Sequence, residues 1–270
     1  MIDQIDIKPL LKSDIDKITH LQPEGWNDIR KVYIQFSGHD FFYPIKAIFQ
    51  NKIIGVGEVL FNKNTAWLGV IVVDKSLRNK GIGTYITEYL SKYIASKNIK
   101  TQMLLATPIG QPVYQKLGFQ QISSYVFLKR EEEKNWNIHN ANVIDYDPKY
   151  QDQIATLDKL AMGEDRSEIL KHFTKNAKLF IDQNLQGFYL PTLGDGLVIA
   201  KNHEAGFALL KIKWATNDEL IILPQENNEV IEFAENQGFK AYRYAARMIK
   251  GKPFDWNSKL IYNRVGGYLG

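Results

Sequence analysis

A chain of 270 residues, 44% of them hydrophobic and 24% charged, has the composition of a folded globular protein and the length for two cores. With no cysteine it carries no disulfide, no thiolate nucleophile and no cysteine-ligated metal, which suits a reducing cytoplasm. A net charge of +4, without a Lys/Arg-rich run interleaved with aromatics, argues against a nucleic-acid partner.

The N-terminal stretch MIDQIDIKPLLKSDID is acidic from its third residue and holds no apolar core of signal-peptide length. The longest apolar run, residues 66 to 73, is far short of the ~20 residues that span a membrane. A cytoplasmic protein with no membrane partner is therefore the expectation. EGWNDIRKVY suits an early helix. In NKIIGVGEVLF, Ile54, Val56, Glu58 and Leu60 alternate in phase, which predicts a strand with Glu58 on an apolar face. Desolvation there would raise its carboxyl toward a pKa useful for taking a proton; an exposed strand carboxylate is the plainer alternative.

Residues 66 to 73, AWLGVIVV, predict a central strand covered on both faces. RNKGIG follows at 78 to 83 and opens a helix in which Ile82, Tyr85, Ile86, Tyr89, Leu90, Tyr93 and Ile94 recur on one face. TQMLLAT, residues 101 to 107, predicts a second strand, so the unit closes as a parallel pair with a crossover helix. A glycine turn at a helix N-terminus, just past a buried strand, is an anion cradle. Gly81 and Gly83 let backbone N–H groups approach phosphate oxygens, and Arg78 and Lys80 add charge. A Walker loop is absent, and a dinucleotide fingerprint would need glycine where Ile86 stands and an acid near Lys100.

The remaining candidate, R-x-x-G-x-G straight after a strand, resembles the coenzyme A pyrophosphate loop of the GCN5-related N-acetyltransferases. The likeness extends through LLATPIGQPVYQKLGFQQISSYVFLKR, residues 104 to 130, with its Leu-Gly-Phe turn. It implies acetyl-CoA as cosubstrate, held by Arg78, Asn79, Lys80, Gly81, Ile82, Gly83 and Thr84, with backbone N–H groups at Val72 or Val73 on the thioester carbonyl. It also implies direct attack by a primary amine, with Tyr114 protonating the departing thiolate. Packing of a short helix with Val113 and Leu117 is an equal reading of Tyr114. The strand before the turn carries Trp67, Leu68 and Gly69 where the family often has an acid, so Glu58 is the candidate base.

A charged and asparagine-rich break, KREEEKNWNIHNAN at 129 to 142, precedes a second copy of the same order of elements. LVIAK, a helix through Phe207, Leu210 and Trp214, ELIILP, and EFAENQ leading into GFKAYRYAARMIK repeat the first half, but VIAKNHEAGF has one glycine and no arginine in the turn. The fold expected is α/β (α+β): two tandem acetyltransferase-like domains, each a mixed twisted sheet flanked by helices, at residues 1–135 and 140–270. The second resembles the degenerate domain of a bacterial tandem subfamily, to which LDKLAMGEDR at 157 to 166 also points; Asp165 and Arg166 suit either a cleft wall or a surface helix start. The partner expected is a small-molecule or peptide amine, and a homodimer is allowed. The rival readings are a catalytically silent acyl-CoA-binding or interaction module and an unrelated nucleotide-binding protein. The five histidines are scattered singly, so no metal is expected.

Overall fold

The computed structural model describes residues 2–132, 135–216 and 220–270. Glu133 and Lys134 of the charged break, and Glu219 at the head of ELIILP, lie outside the described residues. Two compact units result, one made of Met1–Gln120, Met248–Pro253 and Gly267–Leu269, the other of Gln121–Arg247, Phe254–Gly266 and Gly270.

In chain order the first unit holds β1 (Asp6–Pro9), α1 (Arg30–Phe36), β2 (Phe42–Phe49), β3 (Lys52–Phe61), β4 (Thr65–Val73), α2 (Ile82–Ser96), β5 (Thr101–Ala106) and α3 (Gln111–Lys116). The predicted helix at EGWNDIRKVY starts only at Arg30. Before it the Gln22 amide donates to the carbonyls of Trp26 and Asn27 at 3.0 and 3.2 Å, which ties residues 23–29 into a loop. The strands lie in the order β1-β2-β3-β4-β5, antiparallel up to β4, and Met248–Gly251 continue the sheet beside β5. Strands β4 and β5 are parallel and pair only over Thr65–Trp67 with Thr101–Met103. Beyond Trp67 they part, although β4 runs on to Val73 and β5 to Ala106.

Helix α2 forms because Ile82, Ile86, Leu90 and Ile94 fall one above another on a single face, and all four are buried. It comes down on Gly57 of β3, where a Cβ would stand 3.0 Å from both Ile86 and Leu90. Tyr43 of β2, the cross-strand partner of Val59, stacks on Tyr93 of α2 at 3.8 Å, so this face of the sheet belongs to α2. The opposite face carries Phe42, Glu58 and Leu60 and receives Tyr33 and Phe36 of α1.

The second unit contains β6 (Gln120–Lys129), β7 (Val143–Asp145), α4 (Gln151–Met162), α5 (Ser167–Leu170), β8 (Lys178–Asp182), β9 (Asn184–Leu190) and β10 (Leu197–Ala200). It continues with α6 (His203–Trp214), β11 (Leu220–Pro224), α7 (Asn228–Asn236), β12 (Lys240–Gly251) and β13 (Ile261–Asn263). One sheet has the order β13-β10-β9-β8-β7, while β6 lies between β12 and β11 and pairs antiparallel with β11. The compact units divide after Gln120: β6 pairs with β11, and the end of β12 is counted with the first unit.

Arg166 stands at the start of α5, but its side chain turns inward and does not lie on the surface. It is fully buried in the second unit, forked onto Asp158 through Nε–Oδ2 at 3.0 Å and Nη2–Oδ1 at 2.5 Å, with both side chains at 0% exposure. Asp165 instead accepts from Ser167 Oγ at 2.7 Å. A desolvated pair of this kind is strongly destabilising to break from one side only. Arg166→Met should lower unfolding free energy by about 3–5 kcal/mol, and adding Asp158→Leu should recover much of that loss, as read by urea denaturation of the single and double variants.

Candidate active site

The register between β3 and β4 shifts where β4 leaves β5. Val56 opposes Val72 and Glu58 opposes Gly69, so two steps along β3 face three along β4. The extra residue is a β-bulge, and in it Val70 takes φ +46°, a left-handed value that a β-branched side chain tolerates only under strain of about 1–3 kcal/mol. The bulge bends β4 away at the point where its pairing with β5 ends.

Gly69 sits at the edge of this bulge. A Cβ there would lie 2.0 Å from Glu58 Oε1 and 2.6 Å from the Tyr268 Cβ, so only glycine lets the Glu58 side chain cross onto β4. Sequence alternation placed Glu58 on an apolar face, and that face is closed: the residue is 0% exposed, and neither carboxyl oxygen has a hydrogen-bond partner among the described residues. Burial drives its pKa well above the ordinary carboxylate range. The Tyr33 hydroxyl, also buried and without such a partner, is raised first by burial and then by the charge of Glu58. Around them Tyr33 and Phe42 lie 6.1 Å apart, Phe36 and Phe42 5.7 Å, and Phe36 and Tyr268 5.7 Å in an edge arrangement.

The turn after β4 keeps its charged side chains in water. Asp74 accepts from the backbone N–H and hydroxyl of Ser76, and Arg78 Nε donates to the Val73 carbonyl at 3.2 Å, which folds the turn back on the strand. Asn79 at φ +61° and Gly81 at φ +80° both take left-handed backbone angles just ahead of α2. Arg78, Asn79, Lys80 and Gly81 are exposed, and no side chain caps α2. Ile82 and Val72 are buried, so only their backbones are available to a ligand, while Val73, Gly83 and Thr84 are half-buried. Tyr114, on α3 beside α2, is half-buried with its ring edge-on to Phe119 at 6.2 Å, and burial pushes the phenol up to about 12. It packs a short helix and also stays protonated at neutral pH, so the two sequence readings are compatible.

The corresponding place in the second unit is filled by the chain itself. Strand β13 pairs antiparallel with β10, while Ile222 of β11 donates to Asn263 Oδ1 at 2.8 Å and accepts from the Arg264 N–H at 3.1 Å. The Tyr262 ring lies on Gly206 of α6, where a Cβ would stand 2.1 Å away. Asn202 caps α6 by accepting from the Ala205 N–H at 2.9 Å, so one of its orphan donors is satisfied by a side chain, where α2 has no such cap.

Sequence reasoning missed Val70, Tyr33 and Tyr268. Only the first left a signal, since an isolated glycine in an apolar strand, here Gly69, marks a bulge. Among the described residues no group of three or more His, Asp or Glu side chains could hold a metal, and no helix is long and apolar enough to cross a membrane.

A parallel strand pair that parts beside a bulge, with an uncapped glycine-led helix beyond it, defines the class as an acyltransferase-type α/β fold present in two copies. Two family models described as acetyltransferase (GNAT) domain match residues 39–121 and 154–263. The chain belongs to the GCN5-related N-acetyltransferase family, as a tandem member with two such domains. A candidate acetyltransferase from Pyrococcus horikoshii has the same fold at a TM-score of 0.84, with 22% identity over 99% of this chain and 96% of that one. A GCN5-related N-acetyltransferase from Sphaerobacter thermophilus gives 0.64 at 12% identity over 95% and 98%. A tandem GNAT protein from the clavulanic acid biosynthesis pathway gives 0.63 at 12% identity over 93% and 100%. No curated protein matches the sequence.

A carboxyl whose folded pKa is raised is protonated in the fold while the unfolded chain has already ionised. Its contribution is therefore present below the unfolded value of about 4.3 and is lost as pH rises through the folded value. Glu58→Gln should unfold at a higher temperature than wild type at pH 8, with the gap closing toward pH 4, as followed by thermal melts across that range.

Proposed function

We propose that the first unit transfers an acetyl group from acetyl-CoA to a primary amine by direct attack, and that the second unit binds no cofactor. The observation that carries this reading is the Glu58 carboxyl laid across Gly69 at the β4 bulge, desolvated and raised in pKa. It supplies from β3 the acid that β4 lacks.

The turn fits a pyrophosphate. Exposed Arg78 and Lys80 would supply charge, and left-handed Asn79 and Gly81 with the uncapped N-terminus of α2 through Gly83 and Thr84 would supply N–H donors. Acetyl-CoA would supply the activated thioester and its thiolate leaving group. The backbone N–H groups of Val72 and Val73, on the part of β4 beyond its pairing with β5, would polarise the carbonyl.

Glu58 takes one proton from the incoming ammonium, which leaves a neutral nitrogen nucleophile. As the C–N bond forms and the C–S bond breaks, Tyr114 gives its proton to sulfur. The nitrogen's remaining surplus proton restores the Tyr114 phenol, and the proton on Glu58 goes to solvent, so amide, thiol and one proton are the net products. A phenol held near 12 stays protonated until sulfur needs the proton. The amine of a small molecule or peptide is the acceptor, and the protein acts in the cytoplasm.

Three variants test these roles. Tyr114→Phe should lower kcat at least about tenfold, about 1.4 kcal/mol of barrier, with little change in acetyl-CoA affinity. Glu58→Gln should lower kcat/KM and abolish its rise with pH through the raised Glu58 value, measured as thiol release between pH 5 and 9. Gly83→Asp should remove the thermal stabilisation that excess acetyl-CoA gives the wild type. Stabilisation of the wild type without turnover on any amine would instead favour a silent acyl-CoA-binding module.

A further inference from the structure

The Glu58 box holds more than a base. Three oxygens in it, Glu58 Oε1, Glu58 Oε2 and Tyr33 Oη, are fully buried and have no hydrogen-bond partner among the described residues. Buried polar groups are nearly always satisfied, and each exception calls for a reason. Here the exceptions come together: Tyr33 feels the Glu58 charge, and both residues belong to one aromatic shell with Phe36, Phe42 and Tyr268.

We propose that these three oxygens are the acceptor-nitrogen subsite, and that the acceptor is a primary ammonium on an apolar or aromatic stem. This rests on the acetyltransfer reading above and names its substrate class. A primary ammonium carries three N–H donors, one for each oxygen, and a hydrogen bond to a charged group is stronger than a neutral one. The rings of Phe36, Phe42 and Tyr268 favour a cation and cover the carbons next to nitrogen. A polyhydroxylated amine would leave hydroxyls desolvated against those rings without partners, so the site rejects amino sugars. Tyr33 is the positioning residue: it holds the nitrogen against Glu58 through one hydrogen bond. The box is closed in this structure, so Tyr268, which covers Gly69 beside the carboxyl, is the wall that the stem must displace.

The test compares 2-phenylethylamine with glucosamine on wild type, Tyr33→Phe and Glu58→Gln. Wild type should acetylate 2-phenylethylamine with kcat/KM at least about a hundredfold above glucosamine. Tyr33→Phe keeps the ring and removes a buried hydroxyl, so its melting temperature should not fall. Its KM for 2-phenylethylamine should rise at least about tenfold, by more than kcat falls, a split that a packing role would not produce. The amine alone, without acetyl-CoA, should also raise the melting temperature of wild type and not that of Glu58→Gln. Equal use of glucosamine, or an unchanged KM in Tyr33→Phe, overturns the subsite while acetyltransfer stands. If no amine is acetylated, the amine-only melts still decide: a shift lost in Glu58→Gln supports the subsite, and no shift removes it.

Discussion

Everything at the candidate site depends on the parting of β4 and β5 after Trp67. Three residue pairs hold the parallel strands together, and then a bulge with Val70 in a strained left-handed conformation bends β4 away. Strain of that kind persists only where the surroundings enforce it, and here they do: α2 packs down on Gly57 from one face, while Phe42 and α1 press from the other. The opening leaves residues 68–73 of β4 unpaired on the β5 side, and the glycine turn at 78 to 83 follows shortly after the strand ends. A ligand with an anionic end and a linear arm suits such a groove, its charge at the turn and its arm between the strands.

The same bulge explains the acid. A side chain at residue 69 would collide with Glu58, so the glycine on β4 and the glutamate on β3 are one arrangement. Its physical consequence is a carboxyl kept out of water and raised in pKa, which the fold carries as a stability penalty at neutral pH. Tyr33 adds a second unpartnered oxygen to the same apolar shell. In the second unit, by contrast, the Asp158–Arg166 pair is fully buried and forked, and a polar network satisfied in that way serves the fold.

The strands, the crossover helix and the duplication were legible in the sequence because each rests on local pattern: period two in NKIIGVGEVLF, period 3.6 after Gly83, and glycine before each closing strand. The glycine turn at 78 to 83 was legible for the same reason, its residues being adjacent in the chain. Tyr33 and Tyr268 were not, since they reach Glu58 from segments distant in sequence and look like ordinary core aromatics. The depth of Glu58 was also hidden. Alternation showed which face it occupies, and only packing by α1 and Tyr268 shows that the face is closed. Arg166 failed for the opposite reason, a charged residue in a polar stretch whose partner eight residues earlier pulls it inside. The exchange of β6 and the end of β12 between units leaves no local trace at all.

The two copies share an order of elements and differ in what occupies the place between the parted strands. In the second, β13 lies between β10 and β11, Tyr262 lies on Gly206, and Asn202 has already capped α6. We therefore propose that one copy holds the cofactor and the other holds its own chain. Isothermal titration of the full chain with acetyl-CoA tests this most directly. A single site per chain, lost in Gly83→Asp, is the predicted result. Two sites per chain, or one site that survives Gly83→Asp, would contradict it.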